Sequence, residues 1–105
     1  MIMRIWRGKV PTPKADSYLA YLHETGLADY RNVAGNLGVF ATTRNLGEAT
    51  EFVLVTYWES VEAIRRFAGD PIDTAVYYPA DDDYLLYREP KVEHYEVSYA
   101  AHALP

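Results

Sequence analysis

One change of hydrophobic period organises the reading of this chain. From Phe52 to Trp58 the residues are almost all apolar or β-branched, as in a buried strand, and from Ser60 the apolar positions fall instead at Val61, Ile64 and Phe67. A period of two passing into one near 3.6 predicts a strand that runs directly into a helix. Ser60 can accept hydrogen bonds from the first-turn N–H groups, Glu62 complements the helix dipole, and Gly69 marks the stop. A strand built this way delivers Trp58 to the rim of whatever cavity its sheet encloses.

The remaining elements follow from weaker signals. Ile2 to Val10 alternates, with Ile2, Arg4, Trp6 and Gly8 on one side and Met3, Ile5, Arg7 and Lys9 on the other, and reads as strand one. Pro11 and Pro13 end it and open a first helix capped by Thr12, with Tyr18, Leu19 and Leu22 inward and Gly26 as its stop. Leu27 to Arg31 is expected to add one short turn. Gly35 to Arg44 and Thr50 to Trp58 form a hairpin across the turn Asn45-Leu-Gly47. After Gly69, Asp70-Pro71 is expected to start a short helix ended by Pro79, followed by an acidic loop over Ala80–Asp83 and an extended piece over Tyr84–Tyr87. Lys91 to Tyr99 is the expected fourth strand, with Val92, His94 and Glu96 on one face and Glu93, Tyr95 and Val97 on the other.

The order β-α-β-β-α-β predicts an α+β, ferredoxin-like domain, a four-stranded antiparallel sheet with helices on one face. It would occupy residues 1–99, with 100–105 as a C-terminal tail. The uncovered sheet face carries apolar and aromatic residues, so a second identical chain is the expected cover, making a homodimer.

Composition narrows the chemistry. The 105 residues contain no cysteine, which excludes disulfides, thiolate catalysis and Cys-ligated metal centres. A net charge of −5 with dispersed arginines gives no footprint for nucleic acid. Arg4 and Arg7 break the only N-terminal apolar run, so neither a signal peptide nor a membrane partner is expected, and the cytoplasm is the default location. The three histidines lack metal-ligand spacing, so no metal site is expected. Ten tyrosines suggest a half-polar cavity or an interface, because each brings an apolar ring and a polar tip that needs a partner.

Several motifs together resemble the antibiotic biosynthesis monooxygenase family of dimeric α+β barrels. They are Met1-Ile-x-Arg-Ile-Trp-Arg-Gly8, Tyr21-Leu-x-x-Thr-Gly26, Trp58-x-Ser60, Ala63-Ile64, Phe67-Ala-Gly69, Ala75-x-Tyr-Tyr-Pro79 and Glu93-His-Tyr-Glu-Val97. The resemblance implies a cavity between sheet and helices in which a phenolic or anthrone-like substrate loses a proton and its anion reacts with O₂, with no cofactor. Trp58 stands where that group carries a cavity Trp, whereas Leu54 takes the place of an Asn donor and Ile64 that of a Tyr. The heme-degrading branch implies an Asn in strand one, near Arg7 here, the Trp matched by Trp58, and an axial His. Asp73–Tyr78 contains no His, and Tyr77 or Tyr78 would have to ligate the iron.

On these grounds His94 is expected as the base, Arg4 as the anion clamp, and Trp58 beside them. Trp6, Tyr77, Tyr78 and Asp81 are expected to bind substrate, the last three gating the cavity around Pro79. Each residue also has a structural reading. Arg4 could pair with Glu93 or Glu96 across a dimer seam, Trp58 could be core packing, and Tyr77 to Asp83 could be a solvated acidic turn. The corresponding functional alternative is a non-catalytic ligand-binding or stress-associated dimer, and a heme-binding or heme-degrading protein is a further one.

Overall fold

A computed structural model describes residues 1–104. Its strands are β1 (Ile2–Pro11), β2 (Asn36–Asn45), β3 (Ala49–Trp58) and β4 (Glu93–Glu96), and its helices are α1 (Ala15–Glu24), α2 (Gly26–Asn32) and α3 (Val61–Ala68). The sheet is antiparallel in the order β2-β3-β1-β4, the ferredoxin-like α+β arrangement. The β2–β3 hairpin closes as its turn residues require: Gly47 takes φ +100, and its N–H donates to Asn45 Oδ1.

Alternation along β3 sorts its side chains cleanly. Phe52, Leu54, Thr56 and Trp58 are buried on the helix side, and Val53, Val55 and Tyr57 are half-buried on the other. On β1 the buried set is Arg4, Trp6, Gly8 and Val10. At the head of α3, Ser60 accepts from the Ala63 N–H, and Ala63 and Ile64 are buried while Phe67 is partly so. Val61 turns outward, leaving the inward stripe to its neighbours.

Five local expectations are corrected. The Thr12 hydroxyl donates to Gly47 O and meets Thr50 Oγ1, so it ties the hairpin end and caps nothing, and a 3₁₀ turn over Thr12–Lys14 leads into α1. Gly26 is the buried first residue of α2 rather than a helix stop, and a Cβ there would meet the Tyr78 and Tyr30 rings only at ordinary contact distance. Residues 70–78 form no helix, because tertiary partners take their backbone groups: Ala75 N–H donates to Pro90 O and Val92 N–H to Asp73 O. Pro79 opens a 3₁₀ turn, Pro79–Asp83, and the following Tyr84–Tyr87 piece is not a strand, its N–H groups donating to Asp81 O and Lys9 O. Finally, β4 is only four residues long: before it Val92 N–H is diverted to Asp73 O and Lys91 bridges Thr74, and past Glu96 it runs beyond the start of β1 at Ile2.

The face away from the helices carries Met3, Ile5, Val53, Val55 and Tyr57, with Phe40 and Tyr95 exposed beside them. Residues 97–104 and this face border a cleft of about 710 Å³. Pro105, the last residue of the expected tail, lies outside the described residues. Among the described residues, no helix is long and apolar enough to cross a membrane.

Candidate functional site

Between the sheet and the helices lies a small hollow walled by Trp6 and Leu54 from the sheet, Tyr18 and Tyr30 from the helices, and Tyr77, Tyr78 and Asp81 from the irregular segment before β4. The space open to a water centre is about 20 Å³, room for about one water. An aromatic ligand therefore enters only if the walls give way. The four residues expected to bind substrate, Trp6, Tyr77, Tyr78 and Asp81, all line this hollow. His94, Arg4 and Trp58 do not; Arg4 and Trp58 pack behind its Phe67 and Tyr30 walls, and His94 meets Arg4 there.

Arg4 is the unusual group of these three. It is 2% exposed, yet among the described residues no carboxylate pairs with it. Nη1 donates to Ile72 O at 2.5 Å and contacts His94 Nε2 at 3.1 Å, and Nη2 donates to Thr74 O at 3.1 Å. Nε is buried without a partner, and the guanidinium carbon lies 5.7 Å from the centre of the Phe67 ring. Within the chain Arg4 pairs with neither Glu93 nor Glu96. Glu93 binds Arg7 on the opposite face, and Glu96 sits 3.8 Å from the N-terminal amine. A buried cation held only by neutral groups keeps much of its desolvation cost. Burial accordingly lowers its pKa.

His94 faces Arg4 directly across β1 and β4. An arginine can only donate, so His94 Nε2 accepts and the neutral ring carries its proton on Nδ1. Burial, and after it the Arg4 charge, hold His94 below its ordinary 6.5. Trp58 is fully buried, donates to Thr56 Oγ1 at 2.8 Å, and packs on Tyr30 and Phe67.

At the opposite side Asp81 is 3% exposed, which corrects the solvated reading for this residue, while Asp82 and Asp83 are exposed as that reading has them. Oδ1 accepts from the Tyr18 hydroxyl at 3.0 Å and Oδ2 from the Tyr78 N–H at 2.6 Å, so the carboxylate pins the 3₁₀ turn to α1. The Tyr78 hydroxyl donates to Asp29, and that of Tyr77 accepts from Trp6 Nε1 at 3.2 Å while donating to Glu89 O. Burial is the first cause raising the pKa of Tyr18, Tyr77 and Tyr78, and the Asp81 and Asp29 charges add to it for Tyr18 and Tyr78. These phenols stay protonated. Sequence reasoning missed Tyr30 and Asp29 entirely, although an i, i+3 pairing of Leu27 and Tyr30 would have marked an inward face.

The residues do not suit heme. A Tyr ligates iron as the phenolate, but Tyr77 and Tyr78 are held protonated and both hydroxyls are already bonded, while the neighbouring His94 turns its acceptor to Arg4.

Sheet order, helix placement and this hollow define the class of the molecule as a ferredoxin-like α+β domain. No family model and no curated relative matches the sequence. Among solved structures, a candidate antibiotic biosynthesis monooxygenase from Nitrosomonas europaea superposes with a TM-score of 0.68 at 16% identity, covering 94% of this chain and 100% of that one. Another from Deinococcus radiodurans gives 0.64 at 17%, covering both chains fully. The heme degrader MhuD from Mycobacterium tuberculosis, solved with two hemes in its active site, gives 0.65 at 23%, covering 97% and 100%. At these identities the likeness is one of fold.

Proposed function

We propose that this chain is a homodimeric, cofactor-independent oxygenase or related proton-transfer enzyme acting on a small aromatic, enolisable compound. The observation that carries the reading is Arg4: a buried cation with no carboxylate bonded to it among the described residues, packed behind a wall of a hollow lined by indole and phenol rings. An electron-rich aromatic anion supplies both what the cation lacks and what the rings stack upon.

In this reading the positive field of Arg4 favours the enolate over its conjugate acid. His94 is the base. Once Nη1 releases His94 Nε2, the freed lone pair takes the substrate proton as negative charge builds on the substrate oxygen. The carbanion passes an electron to O₂, the radicals combine to a hydroperoxide, and loss of water leaves a carbonyl, so that R₂CH₂ and O₂ give R₂C=O and H₂O. Trp58 fixes the rings of Tyr30 and Phe67 that form this wall.

The second chain covers the open sheet face. Met3, Ile5, Val55 and Tyr57 form its apolar centre, and the flanking charges Arg7, Glu93, Arg44 and Glu51 are neutralised as the pairs Arg7–Glu93 and Arg44–Glu51. Two copies can thus meet around a two-fold axis without like charges opposing one another. The candidate monooxygenases of the same fold support the reading, though their names speak for those proteins.

The test is oxygen uptake with an anthrone, with light scattering to weigh the particle. Consumption that falls at least tenfold in both His94→Ala and Arg4→Met supports the assignment; binding and turnover unchanged in both would remove it. A monomer in solution, with Val55→Lys no different from the parent, would remove the dimer. Aromatic binding without turnover would instead favour a non-catalytic binding dimer.

A further inference from the structure

Four tyrosines wall the hollow, and three have their protons committed. Tyr18 donates to Asp81, Tyr78 to Asp29 and Tyr77 to Glu89 O. The indole N–H of Trp6 is also used, on Tyr77. Among the described residues, the Tyr30 hydroxyl alone of these four donates to no protein acceptor. Arg4 contributes no surface to the hollow, whereas Tyr30 does.

We propose that Tyr30, rather than Arg4 itself, hydrogen-bonds the ligand's anionic oxygen, and that Arg4 acts through it as a positioning residue. This deepens the function proposed above and rests on it. The Tyr30 ring lies 4.4 Å from Phe67 and 6.3 Å from Trp58, centre to centre, while the Arg4 guanidinium packs on that same Phe67 ring. One aromatic plate therefore seats both groups and places the hydroxyl beside the cation. Positive charge there polarises the O–H bond, so its proton side is offered to the hollow as a strengthened donor.

Proton loss is not the result. Burial pushes Tyr30 up to about 12 even though Arg4 pulls the other way, so the group remains an O–H donor at neutral pH. Across the hollow the Asp81 carboxylate repels a ligand's charged end. A planar substrate is thereby oriented with its oxyanion toward Tyr30 and its neutral edge toward Asp81. The ligand class is an aromatic bearing one ionised ring oxygen, a phenolate or enolate.

The probes are 4-nitrophenol, whose visible absorption distinguishes phenolate from phenol, and nitrobenzene, which has no oxyanion. The full chain is expected to bind 4-nitrophenol as phenolate at a pH where the free probe is still largely phenol. Tyr30→Phe keeps the ring packing and is expected to bind it about tenfold more weakly, with a loss of the phenolate band, while nitrobenzene affinity stays within about twofold. Arg4→Lys, which retains a cation, should preserve much of the phenolate band that Arg4→Met loses with Tyr30 intact. Equal losses for the two probes in Tyr30→Phe, or no loss for either, overturn the role of Tyr30 and leave the aromatic site standing. Failure of the parent protein to bind either probe removes the aromatic site and this inference with it.

Discussion

Adding a single methyl group at Gly8 should disturb the cavity wall more than any similarly small change on the sheet. An alanine Cβ at that position would stand 2.7 Å from Trp6 Cζ2, closer still to Cη2, and 3.0 Å from Leu85 Cδ2. The indole lies across the glycine, so it must shift, and it has little room because Trp6 is 6% exposed and bonded to Tyr77. Overpacking of this kind costs roughly 1–3 kcal/mol, and losing the Trp6–Tyr77 hydrogen bond about 1 kcal/mol more. Reduced freedom of the unfolded chain returns about 0.4–1 kcal/mol. The net is a destabilisation of about 1–3 kcal/mol, a fall in Tm on the order of 10 °C for a domain this size. Gly38→Ala is the control. Its Cβ would meet nothing nearer than the Phe40 ring at 3.6 Å, so the entropic gain should stand alone and Tm should hold or rise slightly. Thermal melts of the two variants, with Trp fluorescence reporting the indole shift, decide the matter. Equal melting temperatures for Gly8→Ala and Gly38→Ala would refute the argument that Trp6 is seated on Gly8.

Three further outcomes are expected. Ser60→Ala removes the side-chain cap on α3 and should cost about 1 kcal/mol in urea unfolding, with no cost if the cap contributes nothing. Asp81→Asn puts an amide N–H₂ against one of two existing donors, Tyr18 O–H or Tyr78 N–H, and should cost about 1–3 kcal/mol; a loss below about 0.5 kcal/mol would mean the carboxylate does not hold the 3₁₀ turn. The third concerns His94, whose folded pKa lies below 6.5 through burial and then Arg4. Below 6.5 the unfolded chain therefore binds more protons than the folded one, and stability falls with pH until the folded value is passed. His94→Gln keeps an acceptor for Arg4 but cannot titrate, so melts between about pH 7.5 and 5.5 should show a smaller decline than the parent; parallel declines would count against the depressed imidazole.

Period and punctuation were sufficient for β1, β2, β3 and α3. Alternation in β1 and β3, the Asn45–Gly47 turn and the Ser60 cap are local signals, read over a few residues and met by the structure within a residue or two. The same alternation put Arg4 and Trp6 on one face, and strand order then brought His94 opposite Arg4. Local signals failed where remote groups competed for the backbone. Residues 70–78 look helical after a proline, but their carbonyls and N–H groups meet Arg4, Pro90 and Val92, partners 15 to 70 positions away that no local pattern reports.

Sequence by itself thus determined the β-α-β-β-α-β order and the aromatic, cysteine-free chemistry, because both depend on residue type and short spacing. Tertiary structure alone decided that Arg4 is a buried cation bonded to no carboxylate among the described residues, that Asp81 is buried between two donors, and that Tyr30 keeps its proton free. Desolvation and hydrogen-bond satisfaction depend on what surrounds a group in space, and here those surroundings come from four separate stretches of chain.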